Sequence, residues 1–222
     1  MALNWSGQVL ALRRSGGLVR LALLVAGLPT PDHAWDFRAG QLVSGALSAQ
    51  LREGARCDAE GVVLEGGYVE IDPWEWGGPV TFEAKVRYNS YANQAAVFAL
   101  GVQDAEGRIC DLYSIMSYTM LVVRRSAVSF SRVITEDHEV VLSEWCHVVA
   151  TCQAGELALY MNGQPAGTAE ESAEAKTLLR RAYLGRALQG GNLLDGTIAY
   201  FRVWHQVVLP PEMIQLLYQQ SL

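Results

Sequence analysis

The sequence predicts an all-β protein with one short helix at the C-terminus. Three observations predict it. Val80, Phe82, Ala84, Val86 and Tyr88 alternate with Thr81, Glu83, Lys85 and Arg87. That period of two belongs to a strand with one face in a core and the other in water. Leu157 to Met161 runs straight into Asn162-Gly163, and Asn-Gly supplies the two positive-φ positions of a tight hairpin turn. The other apolar runs are short and punctuated by glycine or polar turns, without the long helical crossovers of a parallel sheet.

Taken in order, residues 1–33 read as an N-terminal extension and residues 34–222 as the domain. Arg13 and Arg14 precede the apolar stretch Leu18 to Leu28, and Pro29 and Pro31 follow. A basic region, a short apolar region and a small-residue exit are the order of a secretory signal peptide or a degenerate signal anchor. Arg20 interrupts the stretch, which is too short to span a bilayer comfortably. A plain extension packed on the domain is the alternative. Asn4-Trp5-Ser6 fits the glycosylation sequon, within the part a signal peptidase would remove.

Further strands are expected at Tyr68–Ile71, Ala95–Val102, Ile109–Met116, Thr119–Val123, Trp145–Cys152, Ala182–Leu184 and Thr197–Trp204. Residues 104–107 form a looser turn, and Pro165 places the return strand of the Asn162-Gly163 hairpin at a sheet edge. Pro210-Pro211-Glu212 opens the helix, with prolines in the first turn and an acid at the positive end of the dipole. Met213, Ile214, Leu217 and Tyr218 give it one apolar stripe for docking on the sandwich.

Bulk properties narrow the function classes. The chain has 222 residues, half of them apolar, 18% charged, with a net charge of −6. This is a folded globular composition. An acidic balance, with basic residues in scattered pairs such as Arg124-Arg125 and Arg180-Arg181, argues against nucleic acid as a partner and against a polybasic membrane patch. Cys146 and Cys152 fall on one expected strand about 20 Å apart, too far to bridge each other. Pairing of either with Cys57 or Cys110 stays open, and buried thiols are the simpler expectation. The four spacings match no zinc motif.

Several segments, in order, resemble the laminin-G-like, concanavalin A-like lectin/glucanase jelly-roll family. They are Ala34-Trp35-Asp36-Phe37, then Gly66-Gly67-Tyr68-Val69-Glu70-Ile71 followed by Gly77 to Ala84. Next come Trp145-Cys146-His147-Val148, Leu159-Tyr160-Met161-Asn162-Gly163 and Tyr183-Leu184-Gly185-Arg186. The set closes with Asp195-Gly196-Thr197-Ile198 and Phe201-Arg202-Val203-Trp204. The resemblance implies a two-sheet jelly-roll sandwich whose concave face or edge loops bind glycans or proteins. It does not choose a function, because this fold serves lectins, adhesion modules, hydrolases and lyases.

The candidate catalytic set is Glu70, Asp72 and Glu75, in the Glu-x-Asp-x-x-Glu order of laminarinase-type hydrolases. Positions 70 and 72 share a face of a strand, so two carboxylates would flank a glycosidic bond. Against this, Pro73 breaks the alternation, the motif lies near the start of the domain, and the same residues fit the binding family's own strand and loop. His147 beside Cys146 points to the opposite face and reads as a structural histidine. Glu136-Asp137-His138-Glu139 reads as an exposed loop.

Relatives of this kind often hold a structural calcium. Asp36 and Asp195 are the oxygen donors available here, but Ala199-Tyr200 stands where further acids are usual, and calcium wants six or more oxygens. Candidate ligand-binding residues are Asn89, Tyr91 and Asn93, the loop with Trp74 and Trp76, and Asp111 with Tyr113, since sugars take aromatic platforms flanked by polar hydrogen-bonders. The reading is a secreted, non-catalytic, lectin-like module. It recognises a glycan or a protein surface, needs no cofactor, and does not insert its folded domain into a membrane. The alternatives are a small glycoside hydrolase and a structural subunit that uses the sandwich for docking.

Overall fold

The computed structural model describes residues 2–3, 9–10 and 27–222, apart from 92–94, 103–107, 116, 125–129, 136–137, 171–176 and 191–192. The chain divides into two units, residues 1–30 and 31–222. In the first, β1 (Ala2–Leu3) pairs antiparallel with β2 (Val9–Leu10). The apolar stretch read as a signal lies almost wholly outside the described residues, as do Asn93 and the turn at 104–107. No helix among the described residues is long and apolar enough to cross a membrane.

The second unit is the sandwich. Its first sheet contains β3 (His33–Asp36), β6 (Arg56–Cys57), β7 (Val62–Val63), β10 (Val80–Tyr88), β15 (Trp145–Gln153), β16 (Glu156–Met161), β17 (Gln164–Ala169) and β20 (Gly196–His205). They run in the order β17-β16-β15-β10-β20-β7-β6, with β3 also on β20. The second sheet contains β4 (Val43–Ser44), β5 (Leu47–Arg52), β8 (Tyr68–Ile71), β11 (Ala96–Gly101), β12 (Arg108–Ile115), β13 (Tyr118–Arg124), β14 (Phe130–Ile134) and β19 (Arg181–Leu184). Its order is β14-β13-β12-β11-β19-β8-β5-β4. A two-stranded ribbon joins β9 (Trp74–Trp76) to β18 (Thr177–Leu179). One helix, α1 (Pro211–Ser221), closes the chain, with Pro211 at its first position.

The expected elements appear where alternation and turn chemistry put them, and β8 and β10 have the expected bounds. Asn162 (φ 50°) and Gly163 (φ 76°) both take the left-handed region, as the hairpin requires. Pro165 sits on β17 at the edge of its sheet, where its missing N–H costs no ladder bond. Phe82, Ala84, Phe98, Leu100, Val148, Leu159, Leu184 and Phe201 fill the space between the sheets. Cys110, Cys146 and Cys152 are buried among them, and burial pushes the Cys146 thiol up to about 12.

One expectation is overturned. The polar face of β10 is not open to water along its length, because Thr81 and Glu83 are fully buried and only Lys85 and Arg87 are partly exposed. The chain after β20 returns across that face. The Thr81 hydroxyl donates to the Val207 carbonyl (2.9 Å) and accepts from the Leu209 N–H (3.0 Å). The helix then lays Tyr218 against His147 (ring centroids 5.8 Å apart), and Lys85 donates to the Ser221 carbonyl at the helix's negative end. Under this cover Glu83 is the centre of a network. Its Oε1 meets His147 Nε2 at 2.8 Å and accepts from the Tyr200 hydroxyl at 3.1 Å, while Arg202 donates to Oε2 at 3.1 Å. Burial and the nearby Glu83 charge push the Tyr200 phenol well above its ordinary range. His147 is thus a structural histidine on the side of β15 opposite Cys146.

Candidate functional site

The acids of the Glu-x-Asp-x-x-Glu segment are separated by the fold. Glu70 stands on the outer face of β8, where Arg52 Nε donates to its Oε2 at 2.9 Å. Asp72 lies beyond the end of the strand, and its Oδ2 accepts the Ser48 backbone N–H at 2.8 Å. Pro73 then takes the chain off this sheet, so Glu75 belongs to the ribbon with β18. One acid is held in an ion pair, one caps a backbone donor and one sits on another element. A retaining or inverting pair instead needs two carboxylates across one bond.

Trp74 and Trp76 do not form an exposed platform. Both are buried at 6% exposure in the main core. Trp74 packs edge-on to His205 (centroids 5.0 Å apart) and to His33 (6.1 Å), and Trp76 packs on Phe82 (6.1 Å). The ribbon strand β9 has only one outward position between them, that of Glu75. Burial lowers the basicity of both His33 and His205.

The loop after β10 gathers Asn89, Ser90 and Tyr91 at Asp195. Asn89 Nδ2 donates to Asp195 Oδ1 (3.1 Å), Ser90 Oγ donates to Oδ2 (2.8 Å), and the Tyr91 hydroxyl donates to the Val140 carbonyl (2.8 Å). Tyr91 is 43% exposed beside this tether. The chain's own donors in this arrangement do not fit calcium. Both oxygens of Asp195 are engaged by Asn89 and Ser90, and both of Asp36 by Arg38 (3.0 and 2.6 Å). Asp36 is in register with Tyr200, five residues along β20 from Asp195, a separation of about 17 Å. Among the described residues no group of three His, Cys, Asp or Glu is placed to hold a metal.

What the sequence reading missed is the outer face of the second sheet. Cross-strand register places Gln50, Glu70, Tyr183, Ala99, Asp111, Val122 and Arg132 in one continuous row over seven strands. Of these, Glu70 was singled out from the sequence as a catalytic candidate, and Asp111 as a binding candidate together with Tyr113, which sits on β12 in register with Ala96 and Met120. Tyr68 meets Tyr183 edge-to-face (5.5 Å), and Arg186 lies over both rings, 4.7 and 4.8 Å from their centroids. Ala96, Ala99, Ala187 and Leu188 complete a small apolar cluster around the tyrosines, separate from the main core. The signal was present in the sequence. Tyr68 and Tyr183 occupy the strand positions opposite to the core-facing Val69, Ile71, Ala182 and Leu184.

This fold and its parts can be set against known proteins. A family model described as the concanavalin A-like lectin/glucanases superfamily matches residues 65–215. The chain belongs to that superfamily. Among solved structures it is similar to domain 4 of an extracellular GH43 arabinanase from Geobacillus stearothermophilus, solved with arabinotriose. The identity is 14%, the match covers 87% of this chain and all of that one, and the TM-score is 0.70. It is also similar to the binding domain of botulinum neurotoxin DC in complex with SialylT, at 10% identity and a TM-score of 0.65, over 86% of this chain and 52% of that one. A heptameric pentraxin from Limulus polyphemus matches at 19% identity and a TM-score of 0.52, over 66% of this chain and 72% of that one. At these identities the likeness is one of fold. No curated protein matches the superfamily member by sequence.

Proposed function

We propose that the superfamily member is an exported, non-catalytic, lectin-like module that binds carbohydrate on the outer face of its second sheet. The observation that carries this reading is the Tyr68–Tyr183–Arg186 group, in a row with the Arg52–Glu70 pair and Asp111. Sugar hydroxyls are met by carboxylates and guanidinium donors in fixed geometry, and a flat, strand-built surface suits an extended chain. The full-length likeness to an arabinanase domain solved with arabinotriose supports the same reading. The scattered placing of Glu70, Asp72 and Glu75 supports binding over hydrolysis.

Calorimetric titration of the protein against a panel of oligosaccharides tests this. The expected result is binding of at least one oligosaccharide, weakened about twofold to fivefold in Glu70→Gln by loss of one charge-assisted contact, with no reducing sugar released. Release of reducing sugar that disappears in Glu70→Gln and Asp72→Asn would falsify the non-catalytic reading. Mass spectrometry of the N-terminus of protein made in its own cells tests export. Cleavage between about residues 26 and 34 is expected.

A further inference from the structure

The arginines of the domain are distributed unevenly in what they meet. The cations on the outer face of the first sheet have partners there. Arg38 pairs with Asp36 (2.6 Å), Arg87 with Glu60 (2.7 Å), Arg202 with Glu83 (3.1 Å), and Lys85 donates to the Ser221 carbonyl. The outer face of the second sheet differs. Register puts Arg52, Arg124, Arg132 and Arg181 on it, and Arg186 joins them over the tyrosines. The acids on that face among the described residues are Glu70 and Asp111. Glu70 answers Arg52 at 2.8 Å. Arg124, Arg132 and Arg186 have no carboxylate within ion-pair distance among the described residues. On a chain of net charge −6 this is a locally positive surface.

Two of these side chains are also held in place. Arg186 is held over both Tyr68 and Tyr183, and a guanidinium fixed by cation–π attraction to two rings is pre-positioned to receive an oxyanion with two parallel bonds. Arg124 stacks on Phe130 (5.1 Å), and its Nε is buried with no hydrogen-bond partner. A buried N–H without an acceptor is costly, and an arriving oxyanion removes that cost. The tyrosines are covered by Arg186, so they serve as a pedestal for it and do not offer bare ring faces for sugar stacking.

Resting on the carbohydrate-binding reading above, we infer that the ligand of this face is an anionic glycan, a sugar chain carrying carboxylate or sulfate groups, with Arg186 receiving one such group. Arg132, four strands from Tyr183 in the same row, receives another further along the chain.

The test uses the full chain and three probes of matched length: an oligogalacturonate, its methyl-esterified neutral form and a sulfated oligogalactan. Binding is read by calorimetry at 50 and 300 mM NaCl. The expected result is binding of at least one charged probe, at least about tenfold tighter than the neutral probe and weakened by salt. The two charged arms tell carboxylate from sulfate. Arg186→Gln is expected to lose about tenfold, with Arg186→Lys between it and the parent, because an ammonium keeps the charge and loses the fork. Arg132→Gln loses about twofold to fivefold on an exposed surface. Arg56→Gln, which removes a cation paired with Glu65 on the first sheet, leaves affinity unchanged. Thermal melting of each variant separates loss of fold from loss of site. Equal affinity for neutral and charged probes, unchanged in Arg186→Gln and Arg132→Gln, overturns the anionic ligand and leaves carbohydrate binding standing. Failure to bind any of these probes, while a neutral glycan of another backbone binds, overturns it equally. Failure against all glycans removes both readings together.

Discussion

The two outer faces of the sandwich are built from the same alternation and end in opposite states. On the first sheet the polar positions of β10, β15 and β20 are roofed by the chain after Val207 and by α1, and Glu83, His147 and Tyr200 become interior residues. On the second sheet no helix among the described residues returns. The corresponding positions keep Arg52, Glu70 and Arg132 at the surface, with Tyr68, Tyr183 and Asp111 recessed at its floor. A polar strand face in a sequence therefore has two fates. It is a sealed network that must satisfy its own charges, or an open surface that can leave some for a ligand. Mutation should tell the two apart, since the first face carries stability and the second carries binding.

The largest effect is expected at the centre of the sealed face. Glu83→Ala removes the partner of His147, Tyr200 and Arg202 at once and leaves buried donors without acceptors. Breaking one side of such a buried pair costs about 3–5 kcal/mol. Urea unfolding should show that loss with little change in the slope, and ligand affinity in the folded fraction should stay the same. A loss below about 1 kcal/mol would mean that the network is dispensable and that the two faces are not so different.

The next effect tests how the roof is joined to the sheet. Gly163 holds φ +76°, and a Cβ there would stand 2.9 Å from the Tyr218 Cβ of α1. Gly163→Ala therefore meets left-handed strain and a contact with the helix together, for a cost of about 1–3 kcal/mol. Gly155 also has positive φ but open space around its Cβ position. Gly155→Ala is expected to cost less, and the difference between the two variants measures the helix contact.

Acid sensitivity should follow the buried side of the molecule as well. His33 and His205 face each other with centroids 5.2 Å apart near Trp74, and Asp32 Oδ2 accepts the His205 backbone N–H at 2.7 Å. Burial lowers both imidazoles from 6.5, the His33 charge lowers His205 further, and Asp32 pulls both the other way. The unfolded chain then binds more protons below pH 6.5 than the folded one. Stability is complete above about 6.5 and is lost as pH falls toward the lowered folded values. Melting temperature followed from pH 7.5 to 5 should decline over that window, and His205→Gln should flatten the decline.

The difference between the faces also explains what could be read from the sequence. The strands and the Asn162-Gly163 hairpin were legible because alternation and turn chemistry are local. The sealing of Thr81 was not, because its partners Val207 and Leu209 lie more than 120 residues away. A period of two separates the faces of a strand and says nothing of what covers either. For the same reason Trp74 and Trp76 looked like a loop platform, although pairing with Thr177–Leu179 turns them into the core. Tyr68, Tyr183 and Arg186 were visible only as strand markers. Their meeting depends on the β8–β19 pairing, which joins segments more than a hundred residues apart.

The smallest stability effect is expected on the open face, and there the comparison becomes sharpest. Glu70 and Arg52 make an ion pair with bonds of 2.8 and 2.9 Å, as short as those around Glu83. Distance alone would rank the two acids together, but exposure does not. The side chains of Arg52 and Glu70 are 42% and 28% exposed, whereas that of Glu83 is fully buried. Water already solvates the exposed ions and screens their attraction, so Glu70→Ala should cost less than about 1 kcal/mol. Its consequence belongs to binding, because it frees Arg52 and removes an acceptor from the cross-strand row. For an anionic glycan the freed cation offsets the lost acceptor, and affinity should change less than in Arg186→Gln. For a neutral glycan nothing offsets the loss. Measuring Glu70→Ala and Arg186→Gln side by side, in stability and in affinity, thus asks of one face both what holds it and what it holds.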